Sequence, residues 1–311
     1  MNTDYKLLLQ TKRNDIVDCR YYGSVYLSSG GEITREFGLS ADTLFYMRSL
    51  AKPLQTSILF DYNIIDDLGL TPADIAIMAG SHAGSFEHIK LLKNLCHKYK
   101  IKLSDLELEP QNPLDMRNFK GRKTKLHNNC SGKHLMMVLV SRYLNFPLPG
   151  YTNPNHPVQK LIYKKQCELS QETSQNLSFD GCSTPLWAIS ARGIIRAYYN
   201  LISDKKYSFL VKSILKYPDI FGGFDRLDSD IIKLSGGRLF SKVGAGGFIV
   251  ICNLDNSEIL LVKLAQNNNP IRKLIVLDIL NKLKWLNVAP DEYEYNQKSM
   301  PVAKYYYEFQ I

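Results

Sequence analysis

The stretch "RSLAKPLQ" at residues 48–55 puts Ser49 and Lys52 three positions apart at what the pattern predicts to be the first turn of a helix. Residues at this spacing share a helix face, so hydroxyl and amine can meet if both lie within the helix. Pro53 is tolerated only near a helix start, which holds the pair at the N-terminal turn. There the helix dipole and free backbone N–H groups favour an oxyanion. Two readings stay open: Ser49 is a cap and Lys52 a solvated charge, or the pair is a nucleophile beside its own general base.

A second stretch gives the pair a partner. "SKVGAGG" at residues 241–247 supplies Lys242-Val243-Gly244 on a predicted strand. A helix-borne S-x-x-K followed by a strand-borne K-x-G resembles the signature order of penicillin-binding proteins and class A β-lactamases. The strand can donate a backbone N–H while its lysine supplies positive charge, which suits acyl transfer. The S-D-N element of that set is absent in literal form, and Ser81 in "AGSHAGS" (79–85) is the available substitute. Its plainer reading is a polar residue in a Gly-rich turn before a helix.

Around these stretches the chain alternates between two periodicities. "DIVDCRYYGSVYLSS" (15–29), Gly30-Gly31 and "EITREF" (32–37) predict a hairpin with a glycine turn. From about residue 49 to residue 217 the pattern is mainly helical, with Thr71-Pro72-Ala73-Asp74 as a start signal and Ile89, Leu92, Cys96 and Tyr99 on one helix face. Strands return in "RLFSKVG", "GFIVICN" and "EILLVKLA", the last two joined by "LDNS"; one helix then opens at Asn269-Pro270 and runs through Trp285. The expected architecture is α+β, layered α/β/α. Residues 1–48 and 218–311 supply one antiparallel sheet and 49–217 a helical insert, in one continuous structural unit with a cleft between sheet and insert.

Composition narrows the function. At 311 residues, 45% hydrophobic and 22% charged, the chain is an ordinary globular one. Its longest apolar run, "LMMVLV" (135–140), falls far short of the roughly 18 residues of a spanning helix, and "MNTDYKLLLQTKRND" resembles no secretory signal. With six scattered cysteines and no C-x-x-C, a cytoplasmic location is expected. The net charge of +9 includes a cluster of Arg117, Lys120, Arg122, Lys123 and Lys125. No nucleic-acid module is legible around it, so a solvated loop is the better account, and neither nucleic acid nor membrane is an expected partner.

"HNNCSGKHLMM" (127–137) lacks the earlier glycine of a phosphate-binding loop, and no Ser or Thr follows Lys133, so a nucleotide site is rejected. Cys130 and Lys133 stand one turn apart at a helix start, while "FDGCSTP" (179–185) offers Asp180 and Cys182 in a turn. Such cysteines are usually small core residues, and lysine binds a metal only as a neutral amine. The histidines at 82, 88, 127 and 134 show no ligand spacing.

Taken in order, "RSLAKPLQ", "SHAGSFEH", "LHNNCSGKH", "GYTNPNHPVQ", "FDGCSTP", "FDRLDSD" and "SKVGAGG" resemble the rhizobial-type, thermolabile L-asparaginases over about residues 18 to 285. The resemblance implies a serine β-lactamase-like fold and hydrolysis of L-asparagine to L-aspartate and ammonia. It further implies two Ser-Lys tandems, Ser49 with Lys52 and Ser81 with Lys242. A Zn2+ ion held by Cys130, Lys133 and Cys182 is implied too, with Arg48, His134 and Asp180 as orienting or substrate-binding groups, and a homodimer is the expected assembly. The chain departs from the pattern at Ser85 and Gly246, where the family carries acids, at Tyr21 in place of a histidine, at Ser183 in place of a glycine, and at "LAQNNN" (264–269) in place of an acidic stretch. Other Ser-Lys amidases or esterases, and a small-molecule binder without turnover, remain as alternatives.

Overall fold

A computed structural model describes residues 4–117 and 119–310. Eleven strands are present among them: β1 (Lys6–Arg13), β2 (Ile16–Ser29), β3 (Glu32–Phe37), β4 (Leu44–Tyr46), β5 (Leu177–Phe179), β6 (Pro185–Ser190), β7 (Leu239–Gly244), β8 (Phe248–Asn253), β9 (Glu258–Leu264), β10 (Tyr293–Tyr295) and β11 (Pro301–Tyr307). The α-helices are α1 (Ala51–Thr56), α2 (Ile64–Leu68), α3 (Pro72–Ala79), α4 (Phe86–Lys98), α5 (Ser131–Tyr143), α6 (Pro157–Ser170), α7 (Ala191–Ser203), α8 (Ser208–Lys216), α9 (Pro218–Phe221), α10 (Leu227–Leu234) and α11 (Asn269–Lys282).

The fold is α+β. Its main sheet runs β10-β11-β1-β2-β9-β8-β7 with β3 also on β2, and every pairing is antiparallel. The long β2 holds it together, pairing β1 through its first half and both β9 and β3 through its second. Side chains alternate between faces along a strand. On β8 and β9, Ile249, Ile251, Leu260 and Val262 enter one core with Ile275, Val276 and Ile279 of α11. Val250, Cys252, Ile259 and Leu261 enter the other, with Ile194, Ile195 and Tyr198 of α7 and the remaining helices. Helices thus cover both faces, which explains why these strands are apolar at consecutive positions. Each large apolar side chain buried this way contributes about 1.5–3 kcal/mol.

Three features differ from the sequence reading. The mainly helical stretch contains β5 and β6, which join β4 in a separate small sheet of order β4-β6-β5. β5 has only three residues, and β6 is buried along its whole length, so it shows no alternation to separate it from a helical background. The last helix ends at Lys282, and Lys284 takes a positive φ of 60°, so Trp285 is buried beyond the helix rather than within it. Finally, β10 and β11 extend the sheet past β1, and Phe309 is buried against Phe37 at 5.5 Å. None of the helices described is long and apolar enough to cross a membrane. All six cysteines are free thiols.

Candidate active site

Met47, Arg48, Ser49 and Leu50 make a tight turn leading from β4 into α1. Arg48–Leu50 form a single 3-10 turn, closed by Leu50 N–H on Met47 O at 3.1 Å, before the six residues of α1. A helix this short adds little dipole field, so the expected contribution of the macrodipole at Ser49 is small. Ser49 is half-buried at the mouth of the site, whereas Lys52 is only 1% exposed. Gly244, at the end of β7, closes on this turn: a Cβ there would lie 3.2 Å from Met47 O and from Leu50 Cγ. Glycine therefore brings the strand after Lys242 against the backbone beside Ser49.

Lys52 points to Ser81 rather than to Ser49. Its Nζ lies 2.9 Å from Ser81 Oγ and 3.0 Å from Asn129 O. Lys242 Nζ approaches the same hydroxyl at 3.1 Å, so Ser81 lies between two buried lysines. No hydrogen bond joins Ser49 Oγ to Lys52 among the described residues, and the two expected tandems form one connected cluster. Lys242 is also bonded to Asp228 Oδ2 at 3.2 Å and Val243 O at 3.0 Å, inside the sheet-to-α10 contact. Burial pulls the Lys242 ammonium down to about 8, against the opposing pull of Asp228, while Lys52 pushes it further down. Asp228 is itself fully buried; although burial raises its carboxyl, Lys242 and neighbouring donors hold it below the ordinary value. Asp228 had no assigned role in the sequence reading, although "FDRLDSD" had been noted. Nothing in a local pattern announces a contact with a lysine on the next strand, 14 positions away.

Cys130, Lys133 and Cys182 meet beside this cluster. α5 reaches them by lying against α3: a Cβ at Gly132 would fall 2.2 Å from Ile77 O. Lys133 Nζ is 3.0 Å from Cys182 Sγ and 2.6 Å from Thr184 Oγ1. The donor atoms of Cys130, Asp180 and Cys182 lie within 4.8 Å of one another. A shared thiol contact drives Cys130 up and Cys182 down, and although burial lowers the Lys133 ammonium, Cys182, Cys130 and Asp180 together raise it. His134 is fully buried, with Nδ1 at 2.7 Å from Tyr151 OH and Nε2 lacking a protein partner. It is buried beside Cys182, whose thiol it helps to lower. Arg48 and Asp180 are joined at 2.9 Å, with the Arg48 side chain 38% exposed, so this pair does sit at the rim.

Ser85 caps α4: its N–H donates to His88 Nδ1 at 3.1 Å and its Oγ to Glu87 Oε2 at 2.7 Å. His88 Nε2 consequently donates to Asp219 O at 2.8 Å. A cavity of about 450 Å³ opens beyond Gly84 and Ser85, lined also by Glu87 and His127, beside the lysine cluster rather than over it. Of the basic cluster, Arg117, Lys120, Arg122 and Lys123 are exposed, with Arg117 tied to Asp115, whereas Lys125 is half-buried and donates to Leu106 O at 2.6 Å.

The chain is similar in structure to a β-lactamase from Mycobacterium bovis, with 12% identity, coverage of 85% of this chain and 95% of the other, and a TM-score of 0.45. It is likewise similar to a β-lactamase/D-alanine carboxypeptidase from Pseudomonas syringae, with 12% identity, 83% and 93% coverage, and a TM-score of 0.39. Comparison with curated proteins finds no match. The family model for L-asparaginase II matches residues 9–305, nearly the whole chain, and the protein accordingly belongs to the L-asparaginase II family of amidohydrolases.

Proposed function

We propose that the protein hydrolyses the side-chain amide of L-asparagine to L-aspartate and ammonia through an acyl-enzyme on Ser49. The observation that carries the reading is the lysine–serine–lysine cluster of Lys52, Ser81 and Lys242, whose Lys52 stands three positions from a half-buried Ser49, in a chain of the L-asparaginase II family. Ser49 Oγ attacks the amide carbon and gives its proton to Lys52, acting as a free amine. Lysine ordinarily holds its proton to about pH 10.4, so this role needs burial and neighbouring cations to favour the neutral form. Backbone N–H groups at Ser49 and at the strand end after Lys242 hold the oxyanion. The carbon–nitrogen bond then breaks as Lys242 passes a proton through Ser81 to the departing ammonia. Water then attacks the β-aspartyl ester carbon and gives its proton through Ser81 to the now neutral Lys242, while the carbon–Oγ bond breaks and Ser49 Oγ takes its proton back from Lys52, releasing L-aspartate. Arg48 and Asp180, paired at the rim, orient the amino-acid end of the substrate.

Cys130, Lys133 and Cys182 suit zinc: two soft thiols and an amine converge in a buried place, with Asp180 and the unpartnered Nε2 of His134 alongside. Lys133 would bind in place of its third proton. Zinc there would supply a fixed positive charge that orients groups around the tandem.

Ammonia release from L-asparagine, measured side by side for the wild type and Ser49→Ala, tests the proposal. The wild type releases ammonia and the variant loses at least about a thousandfold in rate while keeping its fold. Activity retained by Ser49→Ala removes Ser49 as the nucleophile. No release by either protein, with L-asparagine still bound, favours a binding protein, a reading supported by the replacement of family acids at Ser85 and Gly246.

A further inference from the structure

The relay described above is symmetrical in its serine and asymmetrical in everything else. Lys52 reaches Ser81 Oγ and a backbone carbonyl, that of Asn129, and has no carboxylate partner among the described residues. Lys242 reaches the same hydroxyl, a backbone carbonyl and the carboxylate of Asp228. Both Lys242 and Asp228 side chains are 0% exposed, so neither charge is shared with solvent. The carboxylate is aimed by its backbone as well as by its partner: Oδ2 also accepts from Val243 N–H at 3.3 Å, which fixes it to the strand that carries the lysine.

We propose that Asp228 is a positioning residue that sets the direction of proton transfer, by keeping Lys242 the protonated end of the Lys52–Ser81–Lys242 relay. This rests on the Ser-Lys reading of the site given above. Charge in a buried group is retained only where an opposite charge compensates it. Around Lys242 the other influences act against its proton: burial, Lys52 from α1 and Arg226 from the approach to α10. The Phe221 ring lies 5.0 Å from its Nζ, and the Arg272 guanidinium from α11, which donates to Gly244 O and Phe248 O at 2.9 Å each, is close enough to interact electrostatically with Asp228. Asp228 is the group that opposes the loss, and beside it the Lys242 ammonium is lowered no further than about 8. An ammonium at that end donates to Ser81 Oγ, which leaves the Ser81 hydroxyl proton for the leaving nitrogen. Lys52, three positions from Ser49 and without a carboxylate partner among the described residues, is the other end of the relay. A purely structural ion pair would hold the two elements together without governing which lysine carries charge.

The test follows Lys242 directly. In full-length protein with ¹³C-labelled lysine side chains, the Lys242 signal is assigned by its disappearance in Lys242→Arg and titrated in the wild type and in Asp228→Asn. The wild type is expected to hold Lys242 charged at pH 7. In Asp228→Asn the midpoint falls by at least about one pH unit, and the alkaline limb of kcat for L-asparagine moves down with it. An unmoved Lys242 titration, or a uniform loss of kcat with its limb in place, overturns the proposal and leaves Asp228 a structural partner. If Asp228→Asn does not fold, the wild-type titration decides: Lys242 already neutral at pH 7 overturns the idea, and Lys242 charged there with Asp228→Glu preserving the midpoint supports it. Should the wild type release no ammonia, the asparaginase reading falls, while the titration still judges Asp228.

Discussion

Arg48 and Ser183 flank the site with backbones in the left-handed region, at φ 52° and 67°. A side chain in that region costs about 1–2 kcal/mol per residue relative to an ordinary conformation. At Arg48 the bent backbone leads into Ser49, and the ion pair with Asp180 holds the side chain in place. Ser183 follows Cys182 directly, closes the turn through its N–H on Asp180 O at 2.9 Å, and occupies a position where a glycine would carry no strain. Ser183→Gly should stabilise the chain by up to about 1 kcal/mol, the released strain being partly offset by the greater freedom of unfolded glycine. Chemical denaturation reads this as a higher urea midpoint at unchanged slope; a lower midpoint would mean that the serine side chain contributes more than its backbone costs. Ser49, Lys52, Ser81 and Lys242 were each legible as individual residues, because short motifs flag them. That Lys52 bonds to Ser81 was not legible, since it depends on where α3 ends relative to α1.

At the scale of elements, the contact of α5 with α3 brings the thiol cluster to the lysines. α3 starts with a capping box, Thr71 and Asp74 exchanging bonds at 3.3 Å and 2.9 Å, and ends at Gly80, just before Ser81. Across from it, Gly132 allows backbone-to-backbone approach that any larger residue would block. Gly132→Ala places a carbon 2.2 Å from Ile77 O, and since that neighbour is backbone, the helices must separate. The expected cost is about 1–3 kcal/mol, as for other overpacked sites. A urea titration gives the loss, and accelerated reaction of Cys130 and Cys182 with a thiol reagent reports the opening. An unchanged midpoint with unchanged thiol reactivity would show that the close approach is not required. Sequence patterns located α4, whose apolar residues recur at helical spacing, and the strands β7 to β9, which read as apolar runs bounded by turn signals. β4, β5 and β10 are three residues long and offered no such signal.

For the whole molecule, buried imidazoles tie stability to acid conditions. His82 and His88 stack with centroids 5.2 Å apart, and burial is the leading cause that lowers both below the ordinary histidine value. In the unfolded chain these rings take up protons as pH falls through about 6.5, while the folded chain resists. Their contribution is complete above that pH and is lost as pH falls through the depressed folded values, at up to about 1.4 kcal/mol per pH unit for each ring. Urea midpoints at pH 7 and pH 5 should therefore differ, with the lower value at pH 5 and a smaller difference in His88→Gln; equal midpoints would place protonated rings inside the fold. The sequence by itself determined the α+β class, the return of strands after residue 238 and the family pattern, because periodicity and motif order are properties of neighbouring residues. Only the tertiary structure decided which lysine meets which serine, that Asp228 stands against Lys242 14 positions away, and that the C-terminal strands close on β1. Those outcomes depend on the packing of helices across a sheet, where partners are chosen by shape and burial rather than by spacing along the chain.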